Sequence, residues 1–301
     1  MSASHGRVSR HPEAGAPAHA DANGRERPFF VEHEAGQFYC VFYQRLALGE
    51  SEKGIVLCPP YPWEYQGCDR LFVGLARQLA EAGVDVIRFD YSGNRESSGS
   101  PYEAGLDTQL ADIERAIDEL QSLRPGDSIG LLGARAGATL AALAADQDSR
   151  VEFLILWDPI AVGKRHMTRC LRAAVASQSI GDDDGRPTSG ELSSRLERGE
   201  SVELAGFVLS AKLYRDWLGT DAVRQIQRWS IPCLVLETCA GQRARDSNLA
   251  ALAGRYTDAH DAGRLAVADE PPYWAGAPPF GVIDSRRALV NETLSWLAER
   301  T

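Results

Sequence analysis

The feature that most constrains this chain is the decapeptide at residues 128–137, Ser-Ile-Gly-Leu-Leu-Gly-Ala-Arg-Ala-Gly. Its first half, centred on residues 129–132, is an apolar run of strand length, and residues 138–145 (ATLAALAA) read as a helix. Gly133, Ala134, Ala136 and Gly137 keep both flanks of residue 135 small. A strand turning sharply into a helix around one lifted side chain is the pattern Gly-x-Ser-x-Gly of a nucleophile elbow, where small neighbours permit a strained turn. Here the lifted residue is Arg135. A guanidinium stays protonated and only donates hydrogen bonds, so it cannot attack a carbonyl. The sequence therefore predicts an elbow without its nucleophile.

Residues 1–28 are rich in Ala, Gly, His, Pro and Arg and lack apolar periodicity, so they read as a disordered leader that cannot repay ordering by burial. His5, His11 and His19, spaced six and eight apart on such a segment, make a poor metal site. Residues 29–33 and 38–45 read as a β-hairpin, and 54–58 as a buried strand stopped by Pro59 and Pro60. A helix at 71–82, a strand at 84–89 and a helix at 106–123 precede the elbow. Residues 151–156 form a near-continuous apolar run, expected of a parallel strand covered on both faces, ending at Trp157, Asp158 and Pro159. Alternation then breaks over 161–230, with helices expected at 166–178, 192–197, 209–218 and 221–229 around a polar loop at 181–190. Strand 231–237, helix 248–259, strand 264–268 and helix 284–300 complete the pattern. The prediction is an α/β fold: a mostly parallel eight-stranded sheet with an N-terminal antiparallel hairpin. Residues 29–160 and 231–301 form its core, and residues 161–230 form a helical cap over the C-terminal strand edge.

With 301 residues, 44% of them hydrophobic, the chain can bury this core without disulfides or metals. A formal charge of -10 disfavours nucleic acid and anionic membrane as partners. Six cysteines without a Cys-x-x-Cys pair fit a reducing cytoplasm. No apolar run is long enough to span a membrane, and the first 28 residues lack the apolar core of a signal peptide. No nucleotide, flavin or metal motif is present, so no cofactor is expected. The expected partner is a small anionic or acyl molecule, with a homodimer or partner subunit left open.

With the elbow, strand order and cap position established, the chain resembles the α/β-hydrolase superfamily across residues 29–300. Residues 58–70 (CPPYPWEYQGCDR) resemble the PPF-x-E-E-x-N-x-x-x-R loop of the serine-aminopeptidase-like hydrolases that accompany exosortase systems. Residues 89–99 (FDYSGNRESSG) resemble that branch's D-x-x-G-x-G-D-S-x-G, and residues 203–209 (ELAGFVL) resemble one of its cap segments. The resemblance implies a nucleophile where Arg135 stands. It implies a triad histidine near residues 270–274, which read Glu-Pro-Pro-Tyr-Trp, and no histidine follows His260. The implied acid falls among Glu237, Cys239 and Asp246, or on Asp158. An acid alone cannot rebuild the relay, because the imidazole moves the proton. The implied oxyanion hole would use the amides of Ala136 and Tyr61, since Pro59 and Pro60 carry no N–H.

Arg135 thus reads either as an anion-binding or catalytic group, or as half of a structural ion pair. The expected partner in the second case is Asp158, because adjacent parallel strands bring both to one sheet edge. Glu64 and Asp158 are candidates for moving a proton. Trp63, Tyr65, Arg70, His166, Cys239, Tyr273 and Trp274 are expected to line the pocket. Within this set His166 is a candidate displaced base, while Arg70 is either a substrate contact or an anchor for its loop. Cys239 and Cys58, at strand ends, are candidate replacement nucleophiles. Two functions follow: a non-hydrolytic enzyme (lyase, cyclisation or acyl transfer) acting on a carbonyl or carboxylate held by Arg135, or a pseudohydrolase binding a ligand or a partner. Residual esterase activity, through Cys239 or through a serine not placed by the motif, is a third.

Overall fold

Aromatic and β-branched residues build β1 (Glu26–His33) and β2 (Gly36–Tyr43), paired antiparallel with Phe29 opposite Cys40. β1 begins before the predicted start at Phe29, so the leader boundary drawn at residue 28 runs too far. Arg27 belongs to the sheet, its guanidinium 5.0 Å from the centre of the Phe42 ring. The structure is a computed structural model and describes residues 25–33, 36–46, 52–65, 68–177, 187–204, 206–239, 247–270 and 288–300. His5, His11, His19, Asp246, Tyr273 and Trp274 lie outside these residues.

The chain continues through β3 (Lys53–Cys58), α1 (Pro62–Tyr65), α2 (Asp69–Glu81), β4 (Val84–Phe89), α3 (Leu106–Leu123), β5 (Ser128–Ala134), α4 (Ala136–Gln147) and β6 (Val151–Trp157). Between β6 and the next strand of the main sheet lie α5 (Gly163–Ser177), α6 (Ser189–Glu197), a small hairpin of β7 (Val202–Leu204) and β8 (Phe207–Leu209), α7 (Ala211–Leu218) and α8 (Ala222–Gln225). β9 (Cys233–Thr238), α9 (Ser247–Ala259), β10 (Arg264–Ala268) and α10 (Ala288–Ala298) follow. The main sheet has eight strands in the order β1-β2-β4-β3-β5-β6-β9-β10. The β1–β2 and β2–β4 pairs are antiparallel, and every later pair is parallel.

Strand alternation divides the core between the two faces. Ile55, Leu57, Leu132 and Ile155 pack with Leu71, Phe72 and Leu75 of α2 and Leu289 and Trp296 of α10. Val56, Leu131, Leu154 and Leu156 face Ile113 and Ile117 of α3, the alanines of α4, and Met167, Leu213 and Trp217 from the inserted elements. The Trp157 indole donates to Thr293 Oγ1 at 3.1 Å and ties α10 to β6.

Three expectations for the insertion need correction. The loop expected through residue 190 ends earlier, because Thr188 and Glu191 form a reciprocal capping box that starts α6. The helix expected at 209–218 begins two residues later: Leu209 pairs with Val202 in the small hairpin, and Ser210 caps α7 through the Leu213 amide. The helix expected at 221–229 stops at Gln225. The amides of Gln227 and Arg228 both donate to Asp146 Oδ1, at 2.7 and 2.6 Å, which draws the chain out of helical geometry.

Gly254 provides a contrast with the tightly packed glycines of the elbow. It lies inside α9, and a Cβ built on it meets nothing within 4 Å. Gly254→Ala should raise stability by about 0.5–1 kcal/mol through helix propensity. The urea midpoint checks this, and a lowered midpoint would contradict the open surroundings.

Candidate functional site

Arg135 sits where β5 turns into α4, as the N-cap residue, with φ +55° and ψ −120°. Few residues other than glycine adopt positive φ, and this turn is held from all sides. The Arg135 amide donates to the Trp157 carbonyl at 2.8 Å, extending the β5–β6 ladder to the turn. A Cβ on Gly133 would lie 2.4 Å from the Gly137 carbonyl carbon, and one on Gly137 would lie 2.2 Å from the Cys58 oxygen and 2.4 Å from the Pro59 oxygen. The two glycines therefore let strand, helix and the chain leaving β3 meet at backbone distance. Ala136, the first residue of α4, has an amide with no intrahelical acceptor.

The side chain of Arg135 is held in several directions. Its Nε donates to Glu64 Oε1 at 3.1 Å, and its Nη1 donates to the Asp158 carbonyl oxygen at 3.3 Å. Its Nη2 lies 3.5 Å from His166 Nδ1. A guanidinium only donates, so Nδ1 is the acceptor and the imidazole proton resides on Nε2. That Nε2 is 3.3 Å from Cys170 Sγ. Burial opposes the charge on Arg135, but Glu64 and Asp158 outweigh it and hold the guanidinium firmly protonated. Burial pushes the Glu64 carboxyl above the usual carboxylate range against the opposing effect of Arg135. His166 is buried, and its pKa falls well below the ordinary value through burial and then through the neighbouring Arg135 and Arg169. The ring is neutral, and its acceptor nitrogen faces the guanidinium, which leaves it poorly placed as a displaced base.

Asp158 is not the side-chain partner of Arg135. Its amide donates to the Leu236 oxygen at 2.8 Å, and with φ at +42° the carboxylate is carried toward β9. There Oδ1 accepts from the Thr238 amide at 2.8 Å and Oδ2 accepts from the Thr238 hydroxyl. Burial raises this carboxyl to about 6, with the Thr238 hydrogen bonds and Arg135 opposing. Glu64, on α1, takes the role expected of Asp158.

Around this centre Tyr61 is stacked against Trp63 at 4.6 Å and against His166 at 5.9 Å, and it meets the edge of Trp217 at 5.5 Å. Two members were missed in the sequence, Trp217 and Cys170. His166 and Cys170 stand four apart on α5, the spacing that puts two side chains on one helix face, and this was the available signal. Burial raises the Cys170 thiol to about 12, the nearby Glu64 adding to the effect. Other expectations fail. Arg70, in the first turn of α2, is exposed. Cys58 is fully buried, and burial alone raises its thiol far out of the reactive range, which removes it as a nucleophile. Cys239 follows β9, half-buried, its amide donating to the Ala268 oxygen at 3.0 Å. Tyr65 is the last residue of α1.

This arrangement has a hydrolase elbow, a guanidinium in place of the nucleophile and a neutral histidine beside it. Residues 68–242, more than half of the chain, match the family described as serine aminopeptidase, S33. The chain belongs to that family. Its fold is the α/β-hydrolase fold: Est1E from Butyrivibrio proteoclasticus superposes with a TM-score of 0.60 at 14% identity, over 90% of this chain and 99% of that one. The Pyrococcus furiosus esterase Pf2001 gives a TM-score of 0.62 at 14% identity over 97% and 96%. XC6422 from Xanthomonas campestris, a serine hydrolase without a lid, gives 0.54 at 14% identity over 92% and 94%. No curated protein matches the chain in sequence. Among the described residues no helix is long and apolar enough to cross a membrane, and no cluster of His, Cys, Asp and Glu is suited to a metal ion.

Proposed function

We propose that this member of the serine aminopeptidase family uses its elbow site to bind a ligand or partner and performs no serine hydrolysis. The observation that carries the reading is the Arg135 side chain, engaged by Glu64, the Asp158 carbonyl and His166 at the position that an elbow reserves for its nucleophile. Two further facts support it. No histidine follows His260, so the region after the last strand offers no triad base. Among the described residues the histidine at the site is His166, which is neutral and directed at a cation. In this reading residues 161–230 act as the cap, since His166 and Trp217 come from that segment and pack against Tyr61.

Turnover of p-nitrophenyl acetate by purified protein tests the reading. The expected rate equals that of buffer, for the natural chain and for Arg135→Ser alike, because restoring the serine does not restore its base. Saturable hydrolysis by the natural chain would overturn it.

A second reading, a lyase, cyclisation or acyl-transfer enzyme of biosynthesis, is favoured by Glu64. Its carboxyl is raised by burial and its Oε2 has no partner, so it can hold a proton and deliver it. Arg135 would then stabilise the developing anion. Under that reading Glu64→Gln abolishes turnover while substrate still binds.

A further inference from the structure

We propose that the groove between α3 and α7 is a docking face for a second copy of this chain, and that two copies related by a two-fold axis join Glu114 of each to Arg215 of the other.

A cleft of about 1140 Å³ runs between α3, the end of α4 and α7. It lies apart from the elbow: Ala144 on its wall is eight residues beyond Ala136, about 12 Å of helix rise. What Arg135 binds has no bearing on this face. Leu106, Leu110 and Glu114 line the cleft at intervals of four, which sets them in one row along α3. Both leucines are half-buried, so the row presents apolar surface that the described residues leave partly uncovered. Tyr102, 63% exposed, stands four residues before Leu106 and is the most exposed large apolar side chain among the described residues.

Charge selects the occupant. Seven charged residues line the cleft, and five are engaged locally: Asp107 pairs with Lys212, Asp148 pairs with Arg150, and Asp216 accepts from the Leu106 amide at 2.9 Å. Glu114 on α3 and Arg215 on α7 remain, both exposed. Neither forms an ion pair among the described residues, and the Arg215 Nε donates only to the Ala211 oxygen of its own helix, at 3.2 Å. An acidic partner would satisfy Arg215 but face Glu114, and a basic one would do the reverse. A two-fold copy satisfies both, because an isologous interface brings residue i to j and j to i. The placement of the helices permits it. The Asp216 bond to Leu106 sets α7 beside the start of α3. When α3 packs antiparallel on its copy about Leu110, Glu114 of each copy falls next to Leu106 of the other, beside the α7 segment that carries Arg215.

Sedimentation of the full-length protein tests the proposal. The natural chain should dimerise reversibly, and more weakly as salt is raised. Glu114→Arg and Arg215→Glu should each weaken dimerisation at least about tenfold, since either reversal sets like charges together in both reciprocal contacts. The double variant should restore the affinity to within about threefold of the natural value. Glu114→Arg also moves the net charge of -10 toward zero, which by itself favours association, so a loss reports the contact. Circular dichroism verifies that each variant keeps its fold. A natural chain that stays monomeric up to about 0.1 mM overturns the proposal. So does a dimer that the single reversals leave unchanged, or one that the double variant fails to restore.

Discussion

Arg135→Ala is expected to destabilise the protein by about 3 kcal/mol at neutral pH, the scale of loss when one member of a buried ion pair is removed. The loss arises because Glu64, only 7% exposed, would lose the guanidinium that supports its ionised form. Its pH dependence distinguishes this cause from simple cavity formation. Glu64 already has a folded-state pKa above its ordinary 4.5, so its ionisation costs stability as pH rises through the folded value. Without Arg135 the folded value climbs further and the cost grows. Below pH 4.5 the carboxyl is protonated in both folded and unfolded chains, and the contribution vanishes. Urea denaturation of both proteins at pH 4 and pH 8 should therefore show a deficit that is several-fold larger at pH 8. An equal deficit at both pH values would mean that lost packing, rather than an orphaned charge, explains the variant.

Gly137→Ala is expected to be more damaging, on the order of 4 kcal/mol or enough to prevent folding. The added methyl group would fall 2.2 Å from the Cys58 oxygen and 2.4 Å from the Pro59 oxygen. Both are backbone atoms at the end of β3 and cannot rotate away as a side chain would. The strand, the helix and the loop would have to separate, and single substitutions with losses of this size come from such forced repacking. Soluble yield and thermal unfolding measure the effect, with Gly254→Ala as the matched glycine replacement in open surroundings. A Gly137→Ala protein as stable as the natural chain would contradict the close approach of β3 and α4.

The parts of the fold governed by local periodicity were legible in the sequence. The runs at 84–89, 106–123 and 264–268 coincide with β4, α3 and β10 because apolar spacing alone determines them. Boundaries set by long-range polar contacts were not legible. Nothing near residues 226–229 announces that Asp146, on a distant helix, captures two of their amides. The site shows the same division. The elbow could be read from small residues around Arg135, because backbone approach depends on local side-chain volume. The partner of Arg135 could not, since sheet order brings Asp158 to the right edge but only the backbone turn at φ +42° decides where its carboxylate points. Glu64 and His166 reach Arg135 from α1 and α5, two elements whose placement depends on how loop and insertion pack.

The most direct test of the central claim is the intact mass of the protein after incubation with an excess of a fluorophosphonate, a reagent that forms a stable adduct with an activated serine. The account predicts no mass increase, for the natural chain and for Arg135→Ser, since the elbow of the first carries a guanidinium held by Glu64 and that of the second lacks a base. A stoichiometric single adduct on the natural chain would contradict it, placing an activated nucleophile elsewhere in the site.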